Sequence, residues 1–265
     1  MNTEKIWTIV RKEWAEVFKN RLVLFAVAFL PLIMTIIPLV ILATTGGVEA
    51  GDLGLEEIPP EFAAFCNDAL SGEECLQTFV ATQFLILFLI MPVIIPVTIA
   101  SYSIVGEKTT RTLEPLLATP ISTTELLAGK ALAAALPALA ATWISFLIFN
   151  VGALLITDNP GIINVFAQPM WLLAIFGLAP LLSIAAVSVA VMISSRVNDP
   201  RVAEQLSGMV VIPVIALLLG QTFGLFFINR TLIFYISLAV GIIDVILLYL
   251  ASQIFQRETI LTRWK

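Results

Sequence analysis

The chain has 265 residues, of which 59% are hydrophobic and only 12% charged, with a mean hydropathy of +1.01 and a formal net charge of −5. So little polar surface cannot solvate a globule of this length, and the composition implies an integral membrane protein. The acidic balance gives no support to a nucleic-acid role. The absence of histidine, with only two cysteines present, removes zinc centres, histidine-ligated haem or di-iron sites and Ser-His hydrolases, so no metal site and no catalytic residues are expected.

Residues 1–21 come first. On a helical wheel Ile6, Trp7, Val10, Trp14, Val17 and Phe18 gather on one face, and Glu4, Lys5, Arg11, Lys12, Glu16 and Lys19 on the other. The pattern predicts an amphipathic helix lying in the membrane interface, with Trp7, Trp14 and Phe18 at headgroup level. It reads equally as an anchor for the first span or as a mechanical part. This charged lead and the length of the apolar run behind it argue against a cleavable signal.

Six apolar runs follow, at residues 22–45, 79–105, 126–156, 170–195, 206–228 and 232–255. At 1.5 Å per residue each helix can cross the ~30 Å hydrocarbon layer. Laid out as alternating spans, they put thirteen of the fourteen Lys and Arg residues on one side and leave Arg230 alone on the other. The positive-inside rule makes the crowded side, with both termini, cytoplasmic. The expected fold is all-α: a polytopic membrane protein of six transmembrane helices preceded by the interfacial helix, forming one domain over residues 1–265.

Between the first two runs, residues 46–78 form an external loop with Glu49, Asp52, Glu56, Glu57, Glu61, Asp68, Glu73 and Glu74 and no basic residue. Cys66 and Cys75 both lie in it, where an oxidising environment permits either a bridge or two free thiols. The second run carries Pro92 and Pro96 one turn apart, which makes it the leading place for a bend. Prolines 31, 38, 137, 180 and 213 interrupt other runs, and each frees a carbonyl that needs a new partner.

The cytoplasmic segment 106–125 reads Gly106-Glu107-Lys108-Thr109-Thr110-Arg111-Thr112-Leu113-Glu114-Pro115-Leu116-Leu117 and onward to Glu125. Leu113, Leu116 and Leu117 form an apolar edge at helical spacing, while Glu107, Lys108 and Arg111 are expected to project into the cytosol. Ser122 and Glu125 have the spacing of a capping box that starts the third span. In the other cytoplasmic turn Asp199 suits an N-cap and Pro200 the first helical position. Small residues crowd the third run. Gly220 and Gly224 in the fifth form a G-x-x-x-G that serves packing between subunits or within one.

Asp244 is the one ionisable residue deep within a run, between Arg230 and Arg257. Placing it at mid-membrane costs about 3 kcal/mol, so it should face the bundle. It is then either part of a substrate or proton route, with Pro92 and Pro96 as further candidates for the path, or a structural group satisfied by neighbours such as Ser237.

The amphipathic lead, the six spans, the run Gly106 to Ser122 with Glu125 and Gly129-Lys130 behind it, and the Ser194 to Ser207 turn together resemble the permease subunit of type-2 ATP-binding-cassette (ABC) exporters. The resemblance covers nearly the whole chain and is most specific at residues 106–130. It implies that the N-terminal helix is the elbow helix and that the segment around Thr112 to Leu117 is the coupling helix. Glu107, Arg111, Leu113, Glu114, Leu116 and Leu117 would then couple to a separate ATPase subunit. It further implies a second permease, identical or homologous, ATP and Mg bound by the partner and not by this chain, and residence in the plasma membrane of a prokaryote. The chain has no P-loop of its own, since Ala131 follows Gly129-Lys130 where Ser or Thr is needed. A stand-alone secondary carrier or channel using Asp244 for ion coupling is the alternative.

Overall fold

Proline and glycine set the punctuation of a chain that is otherwise helical through the residues described in the computed structural model, 2–19, 21–45, 72–109, 121–157 and 159–254. In chain order the long helices are α1 (Thr3–Val17), α2 (Arg21–Thr44), α3 (Gly72–Leu87), α4 (Met91–Thr109) and α5 (Thr123–Ile156). Two short helices, α6 (Pro160–Ala167) and α7 (Pro169–Leu172), lead into α8 (Ala179–Ser194). Then come α9 (Pro200–Gly208), α10 (Ile212–Thr222) and α11 (Arg230–Ile254). Among the described residues six stretches are long and apolar enough to cross a bilayer: Val23–Thr44, Glu74–Glu107, Thr123–Ile156, Pro169–Ser194, Pro200–Thr222 and Arg230–Ile254.

Three of these stretches contain a non-α turn, and each turn covers the residue four before a proline. A 3₁₀ turn at Phe88–Ile90 precedes Pro92, a π turn at Leu173–Leu178 precedes Pro180, and a 3₁₀ turn at Met209–Val211 precedes Pro213. The cause is common to all three: proline lacks the N–H that would bond the carbonyl four residues back, and its ring pushes that carbonyl aside. In the π turn the indole Nε1 of Trp143 on α5 donates to the Ile175 carbonyl at 3.1 Å, so a neighbouring span satisfies the loosened backbone. The irregularity expected in the second run therefore falls on the turn before Pro92, whereas Pro31, Pro38, Pro96 and Pro137 lie inside continuous helices.

The second span is the most buried and sits at the centre, with the Phe88, Phe149 and Phe166 rings in contact across its middle, tilted and edge-to-face, at centroid separations of 5.4 and 5.7 Å. Helices α2, α10 and α11 turn broad apolar faces outward, including Phe25, Leu32, Ile215, Phe234 and Val245. Such faces suit hydrocarbon rather than water.

The fifth span departs from the sequence expectation. It starts at Pro200, six residues before the apolar run, and stops at Thr222. Asp199 caps it as expected, its side chain accepting the Arg201 N–H at 2.8 Å, and Pro200 takes the first helical position. The stop comes from Gly224, whose φ of 65° is the left-handed conformation that glycine adopts without penalty. Leu225 N–H bonds the Gly220 carbonyl at 2.9 Å and Gly224 N–H bonds the Gln221 carbonyl at 3.1 Å, the paired bonds of a Schellman cap. The Phe226 ring then lies where a side chain at Gly220 would have to go. Gly220 and Gly224 thus end a helix within this chain and form no small-residue stripe along one.

Candidate functional site

The foot of α5 is built to receive α1. Ser122 caps α5 by accepting the Glu125 N–H at 3.2 Å, and Glu125 Oε2 accepts the Ser122 N–H at 3.0 Å, which is the expected capping box. The other carboxylate oxygen, Oε1, accepts the Asn2 N–H at 2.8 Å and so ties the start of α1 to the same turn. One and two turns further along α5, Ile9 lies against Gly129 and the Trp14 indole donates to the Ala133 carbonyl at 2.9 Å. The contacts run in the same order along both helices, so α1 climbs obliquely beside α5.

This docking uses a different edge of α1 from the one the wheel suggests. The buried residues are Ile9, Val10, Glu13 and Val17, while Trp7 and Phe18 are each 43% exposed and flank Trp14 in an edge-to-face aromatic strip. Two features of α5 select that edge: Gly129 lets the backbone of α1 approach, and Lys130 needs a counter-charge.

Around Lys130 lies a cluster of charge drawn from three helices. Lys130 Nζ is 2.8 Å from Glu13 Oε1 of α1, 2.8 Å from Glu107 Oε2 of α4 and 2.7 Å from Ser103 Oγ of α4. Ser103 Oγ in turn donates to Glu13 Oε2, and Lys12 pairs with Glu107 Oε1. Glu13, Glu107 and Lys130 are only 2–4% exposed, so two carboxylates and one ammonium sit where water hardly reaches, and the half-buried Lys12 at the edge supplies the second positive charge. The Lys130–Glu107 contact is an ion pair without hydrogen-bond alignment at Oε2, whereas the Lys130–Glu13 contact is a true charge-assisted bond.

The electrostatics follow from that packing. Burial alone would raise the Glu13 pKa, but the charge and hydrogen bond of Lys130, with Ser103 and Lys12, outweigh it and hold the carboxyl below its ordinary range. Burial alone would lower the Lys12 pKa, but the bond to Glu107 and the charges of Glu107, Glu13 and Glu16 leave it above that of an ordinary lysine. A depressed carboxyl stabilises above its ordinary value and loses that contribution as pH falls through its folded value. Release of α1 from α5, followed by limited proteolysis from about pH 7 to about pH 3, is therefore expected below the ordinary carboxylate range, and Glu13→Gln should remove that acid transition.

Several sequence candidates land elsewhere. Glu107 does not project into solvent: it points inward, because Lys12 and Lys130 converge on it. Arg111, Leu113, Glu114, Leu116 and Leu117 lie outside the described residues, as does Cys66. Cys75 is buried in the first turn of α3, so that helix takes in residues the sequence reading places in the external loop. Pro92 and Pro96 are on α4, whereas α11, which carries Asp244, packs chiefly against α8 and the π turn. The two candidate path elements therefore belong to different seams. Asp244 faces the bundle as expected, but Ser237 bonds the carbonyl of Ile233 on its own helix and not the Asp244 carboxylate.

The residues that sequence reasoning missed are Glu13 and Ser103. A signal was present: a Gly-Lys pair at the foot of an apolar span has to be approached closely and neutralised, and Glu13 is the acid on α1 that the apolar wheel left unassigned.

A small helix α1 seated on the foot of a six-span bundle, and locked by charge to both helices that flank segment 110–120, is an arrangement for holding parts rigidly rather than for reacting. No group of metal-ligating side chains occurs among the described residues. None of the curated proteins searched matches this sequence. The family described as "ABC-2 family transporter protein" matches residues 7–256, which include most of α1, every span and both connecting segments on the α1 side. With nearly its whole length matched, this chain belongs to the ABC-2 transporter family and is the membrane permease component of an ABC transporter.

Proposed function

We propose that the permease works as an ATP-driven exporter subunit in which segment 106–125 receives motion from a separate ATPase and the charge cluster passes it to α1 and the spans. One observation carries this reading: Glu107 at the start of the segment and Lys130 just after its end are tied to each other and to α1 through Glu13 and Lys12. A displacement of the segment cannot move one flanking helix alone, since buried ion pairs and close packing resist partial separation. A flexible connection would absorb such a push; a locked three-helix foot transmits it as rigid-body tilt.

In this reading Arg111, Leu113, Glu114, Leu116 and Leu117 meet the ATPase, which binds ATP and Mg. Glu107 serves as an internal brace. The α1 side is cytoplasmic, in keeping with the basic residues on that side, and the cell membrane is prokaryotic. A second permease, identical or homologous, completes the path, and Cys66 and Cys75 bridge on the outer side. The exposed Trp7 and Phe18 rings fit the headgroup layer.

The test is Glu114→Lys, assayed by copurification with the ATPase that accompanies the wild-type permease. Reversing a charge at the contact should weaken recovery about tenfold while membrane insertion stays normal. Undiminished copurification would remove Glu114 from the contact. Full flux by vesicles holding this chain without ATP or an ATPase would favour a stand-alone carrier instead.

A further inference from the structure

Asp244 is 3% exposed in the middle of α11, and among the described residues neither of its carboxylate oxygens has a hydrogen-bond partner. A carboxylate in that position needs a donor, and the described residues do not bring one. Lys130 is committed to Glu13 and Glu107, and Arg201 and Arg230 lie in the opening turns of α9 and α11. Ser237 spends its hydroxyl hydrogen on its own helix.

One turn further along α11, toward the α1 side, α5, α8 and α11 part to leave a cavity of about 190 Å³ whose nearest α11 wall residue to Asp244 is Leu248. Its walls are mainly hydrocarbon, from Leu127, Ala131, Val187 and Leu248 among others, with the hydroxyls of Ser188 and Ser252 as polar points. Leu248 and Ala251 on its α11 wall stand four and seven residues after Asp244, so all three share one face of the helix. Helical side chains lean toward the preceding turn, which puts Leu248 between the cavity and the carboxylate. Leu248 is 49% exposed, so neighbouring side chains do not enclose it on all sides.

We propose that the unpartnered Asp244 carboxylate and this crevice form one binding site for a cationic amphiphile, a primary ammonium carrying a short hydrocarbon body. The ammonium supplies the donors that Asp244 lacks. The hydrocarbon part fills the apolar walls, and entry is from the leaflet on the α1 side, where the crevice lies at the ends of its three spans. A neutral amphiphile gains the wall contacts but leaves the carboxylate as it found it, and a small inorganic cation gains the charge but leaves the crevice empty.

The inference adds a cargo class to the exporter reading and rests on it only for the word cargo, because binding needs no ATPase. The experiment is equilibrium binding of radiolabelled octylammonium, and of octanol as its neutral counterpart, to the full permease in nanodiscs. Octylammonium is expected to bind saturably and at least about tenfold more tightly than octanol. Asp244→Asn should erase that difference while leaving octanol unchanged, and Ala131→Phe, which fills the crevice from α5, should weaken both. Equal binding of the two probes, or octylammonium binding untouched by Asp244→Asn in a monodisperse variant, overturns the proposal and makes Asp244 a protonated structural group. Loss of octylammonium binding in Asp244→Asn but not in Ala131→Phe would show a charge site elsewhere than this crevice and would also overturn it. Failure of the ATPase to copurify would sink the exporter reading and leave these outcomes intact.

Discussion

Lys130→Met is expected to destabilise the solubilised permease by about 3–5 kcal/mol. The substitution shortens the side chain by one atom and keeps most of its volume, so packing changes little. What it removes is the positive charge 2.8 Å from both Glu13 and Glu107. Those carboxylates would stay buried with only Lys12 to balance them, and Lys12 is the member of the cluster that water partly reaches. Either they protonate, at a cost, or α1 lifts off to let them hydrate. Thermal unfolding together with protease access to α1 distinguishes the wild type from the variant in both cases.

A companion triple variant identifies the cause. Glu13→Gln and Glu107→Gln added to Lys130→Met remove the stranded charges, and most of the lost stability should return, because a buried ion pair repays its desolvation only narrowly. If the single variant unfolds like the wild type, the cluster is not the lock between α1, α4 and α5. If the triple variant regains stability but copurified ATPase no longer stimulates transport, the cluster matters for transmission more than for folding.

The spans were legible because hydrocarbon imposes a length and a composition that sequence cannot hide. Helix starts were legible as well: Ser122 with Glu125, and Asp199 with Pro200, act within four residues of one another, and local chemistry settles them. The need to neutralise Lys130 was legible but the pairings of the cluster were not, since they join Lys12 to Glu107 across 95 positions and Glu13 to Lys130 across 117, and no local pattern ranks one such pairing over another. Glu107 shows the consequence. Taken alone in a polar run it reads as a solvated acid, yet two lysines from other helices turn it inward. The G-x-x-x-G was ambiguous for a different reason, because the same two glycines can pack between subunits, pack within one or end a helix, and only the φ of Gly224 and the Phe226 contact show the last two here. The apolar wheel of α1 was half right: its aromatics form one strip, but the docking edge was set by α5.

That docking edge makes Gly129→Ala a sharp test, because two well-known effects give it opposite signs. Helix propensity alone favours alanine over glycine within α5 by about 1 kcal/mol. The contact with α1 opposes it. A Cβ at position 129 would sit 2.8 Å from both Cβ and Cγ2 of Ile9, atoms fixed close to the α1 backbone that no rotamer change can withdraw together. Relief requires α1 to shift, and a shift stretches the Lys130–Glu13 bond and the Asn2–Glu125 bond, each now 2.8 Å. Overpacking of this kind costs about 1–3 kcal/mol, so a net loss of stability with greater protease access to α1 is expected. Ile9→Gly in the same chain clears the space. In that background Gly129→Ala should become neutral or stabilising, a reversal of sign that a double-mutant cycle on unfolding free energies reads directly. If Gly129→Ala stabilises the otherwise wild-type chain, α1 is free to move away from α5 without cost, and the locked foot on which transmission depends does not exist.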